Sequence, residues 1–245
     1  LSESKLDDPD RASLERYLDV TKSQMLFAKG IIFVEGISES LLLPIMAECM
    51  DRSFDQYAIE IVNIDGVSFK PFADLLCYAN DIQMQTIRSA IVTDDDRCTD
   101  RQDEENYISK DLDYDTDKLT DVVKRLRSTK GSARYETIYT MCEQAHINIF
   151  GARKTLEYEL AYNKNNIPYL LDAIEKSQPE AGGKLRVRVE RLETLEEKAA
   201  CVWLYIRYRS KYKGEFAQNL AYRLKREHEI LQHSKIGDVP IKNPF

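Results

Sequence analysis

The sequence lacks most of the features that would take it out of the ordinary globular classes. Its wholly apolar stretches, such as that from Leu41 to Ala47, are too short for a membrane-spanning helix. Its five cysteines (Cys49, Cys77, Cys98, Cys142 and Cys201) are odd in number and scattered, with none of the close spacing of a zinc knuckle or redox motif. Three histidines and no HExxH stretch argue against a zinc enzyme. No GxxxxGK[ST] loop is present, so no nucleotide site is expected in this stretch of chain. There is no charged-then-apolar leader, no internal repeat and no low-complexity tract. The chain opens on Leu1 rather than Met, and the expectation is a piece of a longer, reduced, cytoplasmic protein with no membrane partner.

What is present is a globular composition, 43% hydrophobic and 31% charged, over 245 residues. That length suffices for one large domain or two moderate ones, each with its own core. The charge is unevenly spread. Residues 184–226 hold twelve Lys or Arg against five Glu, a local +7 that leaves −14 on the remainder of a chain whose net charge is −7. A basic module beside an acidic one suits a protein that grips a polyanion with one part and metal ions with the other. A solvated helical face would produce the same count, so charge alone does not decide.

Hydrophobic spacing organises the chain. Residues 9–28 have the period of a lead-in helix (Leu14, Tyr17, Leu18, Met25, Leu26). Gly30 to Val34, Tyr57 to Ile64, Ile87 to Thr93 and Ile147 to Phe150 read as strands, with helices over 38–50, around 71–79, 118–128 and 133–145. Alternating short strands and helices predict an α/β fold on a parallel sheet. Residues 97–117 are polar and read as a loop. From Thr155 the pattern is helical, broken at Pro168 and at a Pro179–Gly183 loop, and it ends in a helical pair near 191–210 and 214–232.

The three strongest strands all stop at an acid: Glu35, Asp65 and Asp94. Ligands of open α/β sheets gather outside the carboxyl ends of the strands, so these acids are expected to converge on one crevice. Glu39 lies four residues after Glu35 across a strand-to-helix turn, a spacing that puts both on one side, with the helix N-terminus favouring an anion. Asp94 and Asp96, two apart in an extended segment, should share one face while Asp95 points away. One strand-end acid is an ordinary loop or cap residue; five in one set are not. Ionised together they need cations, and hard oxygen donors suit Mg²⁺, Mn²⁺ or Ca²⁺. Two such ions would serve phosphodiester cleavage.

Rival motifs fit poorly. In an EF-hand reading of Asp94 to Glu105, Cys98 and Thr99 stand where an oxygen ligand and the turn glycine should be. A haloacid-dehalogenase-type phosphatase would want Thr at Cys98. A response-regulator receiver places an acid pair directly after its first strand, unlike Glu35-x-x-x-Glu39.

The ordered set Val34-Glu35-Gly36-x-x-Glu39, Asp65-Gly66 and Thr93-Asp94-x-Asp96 resembles a TOPRIM domain. The run from Phe27 to Gly36, the stretch Gly151 through Thr155-Leu156-Glu157-Tyr158-Glu159-Leu160, and Lys213-Gly214-Glu215-Phe216-Ala217 look like the motifs of OLD (overcoming lysogenisation defect) nucleases, class 2-like in form. The resemblance implies a TOPRIM-type parallel sheet flanked by helices with a C-terminal helical domain. It divides the chain into a linker from an N-terminal ABC-type ATPase (1–24), a TOPRIM domain (25–160) and a helical domain (161–245). It also implies a metal-dependent DNA endonuclease or nickase using two ions.

On the same basis Glu35, Glu39, Asp65, Asp94, Asp96 and Glu215 would be metal ligands or water-positioning groups, and Lys213 would stabilise transition-state charge. Glu157 and Glu159 would only orient the domain. Some members of the class 2 branch work with a helicase partner in Gabija-type bacterial phage defence, and the helical segments suit a homodimer. A topoisomerase- or primase-like TOPRIM module and a non-catalytic, metal-stabilised DNA-binding or assembly module are the alternatives. In the basic stretch, Arg207, Arg209 and Lys211 are the candidates for phosphate contact, while Tyr205, Tyr208, Tyr212 and Phe216 read as core packing rather than a base-stacking platform.

Overall fold

A computed structural model describes residues 27–64, 68–81, 87–97, 116–128 and 131–235. The lead-in helix, Asp65 and most of the polar loop expected over 97–117 lie outside the described residues. Four strands, β1 (Gly30–Val34), β2 (Ile59–Asn63), β3 (Arg88–Asp94) and β4 (Asn148–Ala152), form one sheet. The order is β2-β1-β3-β4 and every pair is parallel, with Val34 opposite Asn63 and Val92, and Asp94 opposite Ala152. All four carboxyl ends therefore point the same way. The chain moves from β1 to one side for β2 and to the other for β3, so the topological switch lies between β1 and β3.

The β1 sequence GIIFV is buried on both faces, as a central parallel strand must be. On one face, Ile31, Phe33, Val62 and Ile91 pack against α2 (Lys70–Asp81) and α4 (Ala133–Ala145), with the Phe33 and Phe72 rings 5.2 Å apart. On the other side lie α1 (Ile37–Cys49), α3 (Thr116–Ser128), α5 (Leu156–Ala161), α6 (Ile167–Ser177), α7 (Pro179–Arg191), α8 (Leu195–Tyr208) and α9 (Lys213–Lys235). The centre of this layer is α8, where every residue from Ala199 to Ile206 is buried. Thr194 and Glu197 close a reciprocal capping box at its start. Leu42 of α1 and Leu119 of α3 belong to the same apolar cluster as α5 to α9, so helices from both sides of residue 160 share one core.

The Pro179–Gly183 stretch, read from sequence as a loop, is helical. Pro179 opens α7, where its missing N–H has no intrahelical partner to lose. Gly182 lies inside the helix because a Cβ there would meet the Glu175 Cα at 2.8 Å, so glycine lets α7 press against α6. Pro168 likewise sits in the first turn of α6 rather than breaking it. Among the described residues, no helix is long and apolar enough to cross a membrane. Packing of α9 along α1 carries the start of α9 to the carboxyl edge of the sheet.

Candidate metal centre

The site begins where β1 ends. Glu35 follows Val34, and Gly36, extended at φ −150° and ψ −177°, caps α1 without offering a side chain. A Cβ on Gly36 would stand 3.2 Å from the Glu39 Oε2, so glycine leaves the Glu39 carboxylate room to fold back over its own helix start. Glu39 is 5% exposed. Burial pushes its carboxyl above the ordinary value, and Glu157 and Glu35 add repulsion, against its own backbone N–H and Lys213.

Asp94 closes β3, across the switch point from Glu35. Its Oδ1 accepts from the Leu156 N–H at 2.9 Å, tying it to the first turn of α5. Burial first, then the charges of Glu157, Glu39 and Asp96, push its pKa up to about 8, with Lys213 opposing. Lys213 opens α9, its Nζ 3.1 Å from the Glu157 Oε1, a charge contact without hydrogen-bond alignment. Burial alone would lower this ammonium's pKa; Glu157, Glu39 and Asp94 outweigh burial and hold it above its ordinary value. Glu39, Asp94, Glu157 and Lys213 are thus one electrostatic unit, built from α1, β3, α5 and α9.

Glu35 stands at the outer side. Its Oε1 accepts from the Thr93 hydroxyl and, at 2.5 Å, from the Arg134 Nη2, while the Arg134 Nη1 donates to the Asp94 carbonyl at 3.1 Å. Asp95 goes the opposite way and is 2% exposed. It accepts from the Ser132 N–H at 2.7 Å and the Arg97 Nε at 2.5 Å.

Asp96 departs from the simple pleat. The strand stops at Asp94, and Asp96 has a left-handed φ of 54°. Its N–H donates to the Lys154 carbonyl at 3.1 Å, and its charge remains close enough to raise Asp94. The two acids are neighbours through a turn, not through strand alternation.

The other sequence candidates separate. Glu215 is exposed in the first turn of α9, and among the described residues no contact joins it to the acids. At helical pitch, side chains two apart point to opposite sides, so Glu215 turns away as Lys213 turns in. Arg207 and Lys211 are exposed at the end of α8 and in the 3-10 turn Ser210–Tyr212. Lys211 lies 4.8 Å from the Tyr212 ring centroid, and Arg209, half-buried, lies 5.1 Å from that of Tyr205. Tyr205 and Phe216 are buried, and Tyr208 is exposed.

Three residues of the site carried no such role in the sequence reading. Glu157, 2% exposed, is central rather than merely orienting. Its signal was available: it follows a strand and the Thr155 N-cap, the same strand-to-helix placement that singled out Glu39. Thr93 and Arg134 act on Glu35 from a neighbouring strand and from a helix 99 residues away, and spacing does not reveal such pairs.

The donor chemistry suits a hard divalent cation: the clustered groups are carboxylates, and burial with the neighbouring acids pushes the Asp94 pKa up to about 8 against the pull of Lys213. The side chains are not a finished coordination shell. Among the described residues, no three acids are placed to hold one ion together. Arg134 and Lys213 are engaged with Glu35 and Glu157 instead.

The family model described as the overcoming lysogenization defect protein-like TOPRIM domain matches residues 26–96. A curated relative, endonuclease GajA of Bacillus cereus (strain HuB5-5), is 30% identical over 113 residues; that is 46% of this chain but only 15% of the relative. Among solved structures, the C-terminal region of the Xanthomonas campestris pv. campestris OLD protein aligns over 86% of this chain and 99% of its own, at 19% identity and a TM-score of 0.45. The corresponding region of the Burkholderia pseudomallei OLD protein aligns over 84% and 98%, at 23% identity and a TM-score of 0.43. Residues 26–96, which hold β1 to β3 and the acidic motifs in order, are thus similar to the TOPRIM domain of the OLD-like family.

Proposed function

We propose that this chain is the catalytic region of a metal-dependent DNA endonuclease or nickase that hydrolyses phosphodiester bonds with two divalent ions, Mg²⁺ or Mn²⁺. The observation that carries the reading is the juxtaposition of Glu39, Asp94, Glu157 and Lys213 at the switch point of the sheet. The relative's designation as an endonuclease supports the reaction class.

Glu35, Glu39, Asp94, Asp96 and Glu157, with Asp65 beyond β2, are the groups that would hold the ions. When bound, such ions would supply an activated water and charge stabilisation for the leaving oxygen. The chain's own residues do the rest. Thr93 orients the Glu35 carboxylate, and Arg134 occupies its Oε1 in the absence of a cation. The Leu156 N–H fixes one oxygen of Asp94. Lys213, held among the acids, presents positive charge where negative charge grows on the phosphate. Arg207 and Lys211, exposed just before Lys213 in the chain, are suited to flanking phosphates. Glu215 falls outside the proposed set. An ATPase region on the N-terminal side and a helicase partner belong to the same proposal.

The test is a panel of supercoiled, linear and single-stranded DNA and RNA against Mg²⁺, Mn²⁺, Ca²⁺ and EDTA. Nicking or linearisation of plasmid that depends on the metal is expected. The Asp94→Ala/Asp96→Ala double variant should be inactive; cleavage equal to wild type would refute the site. A covalent protein–DNA adduct would instead identify a topoisomerase.

A further inference from the structure

Lys154 is 1% exposed, although a lysine is among the last side chains to be fully buried. Burial of an ammonium is tolerated only when its donors are met. Here Nζ donates to the Arg97 carbonyl at 2.7 Å and lies 5.2 Å from the centroid of the Trp203 ring, itself in the core of α8. The other end of the same residue is equally engaged, because its backbone carbonyl accepts the Asp96 N–H at 3.1 Å. One residue earlier on that segment, the Asp95 N–H donates to the Ala152 carbonyl at 2.8 Å, continuing the β3–β4 ladder.

Asp96, which bends back beside Asp94, is therefore bracketed by two bonds from a single residue, one on its own N–H and one on the carbonyl of the next residue. Its left-handed φ of 54° is uncommon for a residue with a Cβ, though Asp adopts it more readily than most, and here the two bonds hold it in place. From that turn the Asp96 charge lies close enough to Asp94 to repel it.

We propose that Lys154 is the positioning residue of Asp96: its ammonium on the Arg97 carbonyl and its own carbonyl on the Asp96 N–H set the left-handed turn that returns Asp96 to the metal-binding acids. The inference rests on the reading of Asp96 as a metal ligand. It assigns to a buried cation a task usually given to carboxylates or carbonyls around a metal site, holding a ligand's geometry from behind.

Two measurements on the full chain test it. In the metal-free protein, amide exchange of Asp96 should accelerate in Lys154→Met, while Ile31 and Phe33 in β1 stay protected as in wild type. Mn²⁺ affinity, read from free Mn²⁺ by electron paramagnetic resonance, should weaken by about 10–100-fold in Lys154→Met, the usual cost of losing a group that orients a ligand. Asp96→Asn should weaken it comparably, and the double variant should be no worse than Asp96→Asn alone, since the two act as one unit. A folded Lys154→Met that exchanges and binds Mn²⁺ like wild type would overturn the inference, as would fully additive losses. Should Lys154→Met not fold, Lys154→Gln, which keeps a shorter neutral donor, is put through both measurements with the same deciding outcomes. If wild type itself binds no Mn²⁺, the reading of Asp96 as a ligand fails, and the inference with it; a failure confined to the variants is a failure of the Lys154 step alone.

Discussion

Asp94 and Asp95 are adjacent, both largely withdrawn from water, and belong to two different parts of the molecule. On the Asp95 side, a main-chain N–H and a guanidinium meet the carboxylate, so the charge is matched and its task is to hold β3 to the start of α4. On the Asp94 side, one oxygen accepts the Leu156 N–H, but burial and three other acids push the pKa up and one lysine opposes them, so the charge is in excess. Burial is common to the two; the sign of the surrounding charge is not. An acid that finds its partners inside the fold is structural, whereas one left among like charges awaits a cation that the fold does not supply.

That contrast gives opposite outcomes for neighbouring substitutions, and the largest effect belongs to Asp94. Asp94→Asn should abolish most plasmid cleavage, a loss of about 100-fold or more, the scale on which removing one electrostatic contributor to a reacting centre registers. It should leave the protein folded, because it relieves repulsion. Asp95→Ala should do the reverse. Removing an ionised acceptor that is bonded to the Ser132 N–H and Arg97 should cost about 2 kcal/mol of stability, read as a lower denaturant midpoint. Mn²⁺ affinity should stay within about threefold of wild type, well short of the effect expected for a group that orients a ligand. If Asp95→Ala cost more Mn²⁺ affinity than Asp94→Asn, the two sides would have been assigned the wrong way round.

How much of this was legible in the sequence follows the range of each interaction. The sheet was readable because its apolar runs and their terminal acids are local patterns, and parallel pairing brings those ends together. The opposition of Asp94 and Asp95 was readable for the same reason, since alternation is local. The left-handed turn at Asp96 was not, because it depends on Lys154, 58 positions later. The Pro179–Gly183 stretch misled because proline and glycine punctuate loops in general, while here one starts a helix and the other admits a neighbouring helix. Lys213 came only with the family resemblance. A lysine on a basic helix looks solvated until the packing of α9 on α1 turns it inward.

A smaller effect concerns pH. Asp94 carries its proton to about pH 8 in the metal-free fold, against an ordinary value of 3.8, and Glu39 is shifted in the same direction. Between those values the folded state binds protons that the unfolded chain releases, so stability falls as pH rises from about 4 to about 8. Lys213 adds no slope in this window, because its raised pKa matters only above its ordinary 10.5. Thermal melts in EDTA should therefore show a lower Tm at pH 8 than at pH 5, and Asp94→Asn should flatten the trend. Saturating Mn²⁺ should raise the pH 8 value most, since the cation stabilises the form that the metal-free protein disfavours. A slope unchanged in Asp94→Asn would mean that the excess charge lies elsewhere.

The smallest expected effect tests whether Glu35 belongs with Asp94 or with Asp95. Its contact with Arg134 resembles the matched pairing of Asp95, but 45% of the Arg134 side chain and 29% of that of Glu35 are exposed, against 3% for Asp95. Water screens such a pair, so Arg134→Ala should change stability by less than about 1 kcal/mol. In the proposed site the guanidinium occupies an oxygen that a cation would need. Its removal should therefore tighten Mn²⁺ binding by less than about tenfold, a gain of the same modest size. Calorimetric titration of wild type and Arg134→Ala separates the cases. Tighter binding would put Glu35 with Asp94, among acids whose charge is left for a metal. Weaker binding would make Arg134 a support that holds Glu35 in place, and would move Glu35 to the structural side of the comparison.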